Sequence, residues 1–203
     1  MTSAERESAK VNRGWHGVDT YPANQSKLHV ELAERSLRWL RARATKSGVV
    51  GATEVGIARG YVADAVALAS LQWRFLNHYM SESGFTRPDM HTGFGGWRDE
   101  AGAEVLTEFA WVFEAKATRP DFLATFGGRG KKHVNRHTPI GSLHWCVVPK
   151  NLGDVRELPA FWGLLEMCGQ GLRVVRIARV FNVSQGLIHR FGYEILKRGR
   201  RTS

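Results

Sequence analysis

The chain has 203 residues, of which 43% are apolar, enough to fill one hydrophobic core, so a single globular unit is the expectation. Its 29 Lys and Arg against 19 Asp and Glu leave a formal charge of +10, a field that draws polyanions, nucleic acid first among them. No run reaches the roughly 18 apolar residues of a membrane span, MTSAERESAK lacks the apolar stretch of a secretory signal, and Cys146 and Cys168 lack zinc-site or disulfide-framework spacing. A cytoplasmic protein with two buried thiols is expected.

Residues 1–25 are polar, with scattered Gly, Pro and Asn and no period, and read as a disordered arm. From Ser26, a good N-cap, Leu28, Leu32, Leu37 and Leu40 recur near helical spacing, with Arg35, Arg38, Arg41 and Arg43 on the other face and Gly48 as the expected end. Two β-type runs, 53–58 and 61–69, flank Arg59-Gly60, a tight-turn dipeptide, and predict an antiparallel hairpin. Residues 71–106 open on Trp73, Phe75 and Tyr79 and then turn Gly-, Pro- and polar-rich, the texture of an inserted helix and long loop.

The run 109–117 is the most strand-like of the chain, apolar apart from two charges near its end, and predicts a strand buried on both faces. Thr118 and Pro120 supply a helix start through Phe126, followed by the basic loop GGRGKKHVNRH. Residues 143–148 form a further buried strand, 162–167 and 172–178 flank CGQG as another hairpin, and 184–197 carry Leu187, Ile188, Phe191 and Ile195 on one helical stripe before a basic tail at 199–203. This order predicts an α/β or α+β fold, a central mixed β-sheet flanked by helices, as one domain over 26–198.

Side chains at i and i+2 of a strand share a face, so Glu114 and Lys116 project together while Ala115 turns away. Charges in an apolar strand carry a desolvation cost and are kept for pairing, metal binding or catalysis. An acidic-x-Lys pair arises by chance about once in a chain of this length. Asp64, within YVADAVALA, adds a second carboxylate in an apolar strand that sheet pairing can lay beside Glu114. Asp99, in the glycine-rich GGWRDEAG, is the rival carboxylate.

Asp64 and Glu114 are hard oxygen donors suited to Mg²⁺, and the Ala115 carbonyl is a further candidate. Lys116 would hold the attacking water or stabilise a developing anion. Arg129, Lys131, Lys132 and Arg136 of the basic loop are candidate phosphate contacts, whereas an oxygen-rich site has no need of His133 or His137.

Asp64 followed by FEAK, with Glu114 and Lys116, resembles the PD-(D/E)XK restriction-endonuclease-like superfamily. The segments VADAVAL, VFEAKATRPDFLATF, LHWCVVPKNL and LPAFWGLLEMCGQGLRVV resemble, in order, those of MmcB-like repair nucleases and related bacterial or phage proteins, over most of 53–180. The resemblance implies a restriction-endonuclease-like fold and a Mg²⁺-dependent DNA endonuclease, with Mn²⁺ as a substitute ion, in repair, recombination or phage DNA processing. It implies Asp64 and Glu114 as metal ligands and Lys116 as catalytic. A first-helix glutamate would add to them, Glu34 ahead of Glu31.

The alternative is a non-catalytic DNA-binding protein, either a degenerate nuclease fold or a helix-turn-helix, whose pattern RIARVFNVSQGLIHRF fits over about 174–191 with Ile177, Ala178, Phe181, Val183, Ile188 and Phe191. Pairing of LRVVRIARV with WGLLEM across CGQG competes with it. Charge alone leaves RNA open beside DNA, and a homodimer is open as well.

Overall fold

The computed structural model describes residues 26–58, 61–84, 108–127 and 140–199. In chain order these form α1 (Lys27–Arg41), β1 (Ala44–Ala58), β2 (Tyr61–Leu71), α2 (Trp73–Glu82), β3 (Glu108–Ala115), α3 (Arg119–Phe126) and β4 (Leu143–Val148). A 3-10 turn (Val155–Glu157), β5 (Gly163–Cys168), β6 (Gly171–Arg176) and α4 (Gln185–Gly199) follow. Outside the described residues lie the arm at 1–25, the Arg59-Gly60 turn, Asp99, the tail from 200 and the basic loop with Arg129, Lys131, Lys132 and Arg136.

The strands form one sheet in the order β1-β2-β3-β4-β5-β6. β1, β2 and β3 pair antiparallel, as do β5 and β6, while β3–β4 and β4–β5 are parallel. The parallel β3–β4 pair is joined by the crossover that contains α3, as parallel strands require. The result is the expected mixed sheet with helices, in the α/β or α+β class.

Alternation along β3 sorts the core into two faces. Phe109, Trp111, Phe113 and Ala115 pack with Leu32, Leu37 and Leu40 of α1 and with Leu76, Tyr79 and Met80 of α2. Ala110 and Val112 face Ile188, Phe191 and Ile195 of α4 instead. A third cluster joins Phe122 and Phe126 of α3 to Cys146, Val148 and Leu164. Glu114 and Lys116, by their parity, belong to the face of Ala110 and Val112.

Trp111 and Trp145 stack at the centre, with centroids 6.4 Å apart and planes 11° off parallel. Gly163 on β5 is needed there, because an added Cβ would run into the Trp145 ring and the backbone of Ala178.

Several elements depart from the sequence expectations for identifiable reasons. α1 stops at Arg41, ahead of Gly48, and β1 already begins at Ala44. Gly48 has φ +89° where the β1–β2 register slips between Ala44 and Val49, so this glycine bulges a strand instead of ending a helix. Arg35, expected on the basic face, is buried; its Nε donates to Glu31 Oε1 at 2.9 Å and its Nη1 to the Gly169 carbonyl at 2.6 Å, tying α1 to the β5–β6 turn.

Of 71–106, expected as an inserted helix and long loop, Leu71 still belongs to β2, the aromatic stretch is helix α2, and 85–106 lie outside the described residues. β6 pairs with β5 and 177–184 holds no helix, so the first helix of a helix-turn-helix is absent. Cys146 is buried as expected, but Cys168, at the end of β5 beside the turn, is exposed. No helix among the described residues is long and apolar enough to cross a membrane.

His144, on β4, is fully buried against Phe161 and Trp162. Its Nε2 accepts the Ile140 N–H at 3.2 Å, and Nδ1 has no hydrogen-bond partner among the described residues. Burial pushes its pKa down to about 3, so folding favours the neutral ring. The unfolded chain takes up a proton below about 6.5 while the folded one does not, so stability falls by about 1.4 kcal/mol per pH unit as pH drops below that value. Denaturant titrations from pH 7 to pH 4.5 should show this slope in the wild type and a shallower one in His144→Gln, whose amide oxygen can still accept the Ile140 N–H. Equal slopes would contradict it.

Candidate active site

The β2–β3 ladder runs from Ser70↔Glu108 to Ala65↔Phe113. One residue further, the side chain of Asp64 takes over from the backbone, and its Oδ2 accepts the Ala115 N–H at 2.8 Å. β3 meanwhile stays with β4, through Glu114↔Cys146, Ala115↔Val147 and a 2.9 Å bond from Lys116 N–H to the Val147 carbonyl. The two neighbours of β3 are thus held differently at the same level, and three charged side chains gather where they part.

Lys116 is the hub. Its Nζ lies 3.2 Å from Glu114 Oε2, 3.9 Å from Asp64 Oδ2 and 3.8 Å from Asp121 Oδ1. The lysine side chain is only 4% exposed, Glu114 1% and Asp64 12%. Burial by itself would lower the lysine pKa, but the charges of Glu114, Asp64 and Asp121 and the hydrogen bond to Glu114 outweigh it and hold the ammonium above its ordinary value. Lys116 therefore stays a cation throughout the neutral range.

Each buried carboxylate is also gripped from outside the strand pair. Tyr61, at the start of β2, donates its hydroxyl to Glu114 Oε1 at 2.5 Å. Burial, reinforced by the Glu114 charge, pushes the phenol well up and keeps it a neutral donor. His29, in the first turn of α1, places Nε2 3.1 Å from Asp64 Oδ1. Contact with Asp64 raises the histidine pKa against its burial. Burial would raise the Asp64 pKa in turn, but His29, the Lys116 charge and the Ala115 N–H bring it below the usual value.

The structure thus brings Asp64, Glu114 and Lys116 together, as the sequence reading expected. It does not bring Glu34, whose side chain is 56% exposed and whose carboxylate faces Arg38 at 3.9 Å. Glu31 is engaged with Arg35. The α1 residue that reaches the site is His29, five residues before Glu34. His29, Tyr61 and Asp121 escaped the sequence reading. Nothing local singles them out: Asp121 follows the Thr118 cap by three residues, as ordinary first-turn acids do, and Tyr61 is three residues from Asp64, a spacing that strand alternation puts on opposite faces.

The donor set suits a particular kind of cation. No group of three or more His, Cys, Asp or Glu side chains disposed around a metal occurs among the described residues, so an all-protein cage is absent there. Mg²⁺ does not need one, since it keeps several waters and is held by one or two carboxylates together with substrate phosphates. Asp64 and Glu114 fit that pattern, and Mn²⁺ accepts the same oxygens.

No family model matches the chain, and no curated protein matches it. Among solved structures, the SPO1766 protein of unknown function from Silicibacter pomeroyi is similar over 88% of this chain and 90% of that one, with a TM-score of 0.55 and 18% identity. The likeness is one of fold.

Tyr61→Phe isolates one grip on the site, removing a single oxygen from a buried ring. If Glu114 holds a divalent cation, Mn²⁺ affinity measured by calorimetry should fall by about 10- to 100-fold, the usual worth of a supporting hydrogen bond of this kind. An unchanged affinity would show that Glu114 needs no help from Tyr61.

Proposed function

We propose that this chain is a Mg²⁺-dependent DNA endonuclease of the restriction-endonuclease-like kind, hydrolysing phosphodiester bonds in DNA repair, recombination or phage DNA processing. One observation carries the reading: Asp64 and Glu114, from two strands, converge with the buried ammonium of Lys116 where those strands part. Residues so costly to bury and so specifically arranged are characteristic of sites that do chemistry.

Asp64 and Glu114 would hold the ion, which when bound supplies Lewis-acid polarisation of the phosphate and a more acidic water. The protein's own residues account for the remainder. Lys116, a permanent cation, stabilises negative charge developing on the phosphoryl oxygens. Its raised pKa makes it an electrostatic group and a poor general base. The Ala115 N–H and His29 fix the Asp64 carboxylate, and Tyr61 fixes that of Glu114, so these two carboxylates need little reorganisation on substrate binding.

The +10 charge supplies long-range attraction to the nucleic acid. Arg129, Lys131, Lys132 and Arg136 remain the proposed phosphate contacts on the strength of their sequence position between α3 and β4. The same charge would serve RNA, so the substrate panel in any assay should hold both.

Comparing Asp64→Asn with Glu34→Gln tests the residue assignment. Asp64→Asn should lower the Mg²⁺-dependent cleavage rate by about 100-fold or more, in line with losing one ligand of a preorganised site. Glu34→Gln should leave it unchanged. The reverse pattern would return the first-helix glutamate to the site and remove Asp64 from it.

A further inference from the structure

Asp121 is a third carboxylate at this site, and it arrives from a different element. It sits in the first turn of α3, where Thr118 Oγ1 accepts its backbone N–H at 3.4 Å and Pro120 stiffens the helix start. Its backbone is therefore fixed while its side chain, 43% exposed, is at the rim. One ammonium, that of Lys116, faces two carboxylates inside and one at the mouth.

The inner distances create a conflict. Lys116 Nζ stands 3.2 Å from Glu114 Oε2 and 3.9 Å from Asp64 Oδ2, between the two groups that a divalent cation would bind. Like charges at such spacing repel strongly even at the effective dielectric of a protein. The lysine must yield, and its stem is long and flexible. Among the described residues the other carboxylate within reach is Asp121, 3.8 Å away.

The geometry points to Asp121 as a positioning residue that receives the Lys116 ammonium when a divalent cation enters between Asp64 and Glu114. The lysine then stands at the mouth of the site, where an incoming phosphate meets it. This inference rests on the metal-dependent reading given above.

Mn²⁺ binding to the full chain, followed by electron paramagnetic resonance of the free ion, tests both separately. The wild type should bind Mn²⁺ and Asp64→Asn should lose it; absence of binding by the wild type would overturn the metal-dependent reading and this inference with it. Given binding, Asp121→Asn should weaken it about tenfold, because the displaced ammonium has lost its acceptor. Lys116→Met, with no ammonium to displace, should bind about tenfold more tightly. In that background Asp121→Asn should change affinity by less than about twofold, the mark of a coupled pair. Equal weakening in both backgrounds would make Asp121 an ordinary ligand and overturn the inference, as would no effect in either. Lys116→Gln repeats the cycle if melting curves show that Lys116→Met does not fold.

Discussion

Under the proposed nuclease function, Lys116→Ala is expected to reduce Mg²⁺-dependent DNA cleavage by about 10²- to 10³-fold or more, the usual loss when one charge-stabilising group is removed. The effect should be confined to chemistry, because Lys116 is 4% exposed and adds little to the field that the other cations project. DNA affinity measured by fluorescence anisotropy without divalent cation should therefore be nearly unchanged. The substitution also leaves Glu114 and Asp64 buried without their shared counter-charge, a change that costs on the order of 3 kcal/mol of stability. Cleavage must accordingly be compared in single turnover at a temperature where both proteins are folded. A variant that cleaves at the wild-type rate would deprive Lys116 of its catalytic role and leave it a purely structural cation.

Trp111→Ala should produce the largest loss of stability. The Trp111 ring is fully buried, stacks on Trp145 and Phe113, meets Trp39 and Tyr79 edge-on, and donates its Nε1–H to the Ala69 carbonyl at 3.3 Å. Truncating such a residue costs about 3–5 kcal/mol through lost transfer energy and an unfilled cavity. Against a typical total of about 5–15 kcal/mol, that is a large fraction. Urea denaturation followed by circular dichroism would measure it, with Tyr193→Ala on the exposed face of α4 as the near-neutral comparison. A loss below about 1 kcal/mol, the ordinary effect of a substitution, would show that the aromatic cluster is not the keystone of the sheet. Trp111 and Glu114 lie on the same strand, so slackening this packing should also blur the site.

The parts of this molecule that were legible in its sequence are those with a local signal. Charges spaced i, i+2 in an otherwise apolar run revealed that Glu114 and Lys116 share a face, and a carboxylate in the middle of YVADAVALA revealed Asp64. Thr118 followed by Pro120 announced α3, and the CGQG turn announced the β5–β6 hairpin.

What was not legible depends on contacts between distant segments. His29 reads as one more polar residue in the first turn of an amphipathic helix until α1 is laid on the sheet and brings it to Asp64. Asp121 reads as an ordinary acidic residue at a helix N-terminus, where it suits the helix dipole without any further role. Arg35 reads as part of a basic face because nothing local shows that the β5–β6 turn will cover it. Glu34 was placed at the site by resemblance alone, and helix geometry puts its side chain in solvent beside Arg38. Gly48 looked like a helix end because a positive-φ glycine serves a C-cap and a strand bulge equally well.

The most direct measurement is cleavage itself: purified wild-type protein and Glu114→Gln, incubated with supercoiled, linear and branched DNA and with RNA, with Mg²⁺ or with a chelator. The proposed site predicts cleavage of at least one DNA by the wild type, its loss with the chelator, and its loss in a folded Glu114→Gln. Cleavage that survives either change, or wild-type protein inert on every substrate, would contradict it.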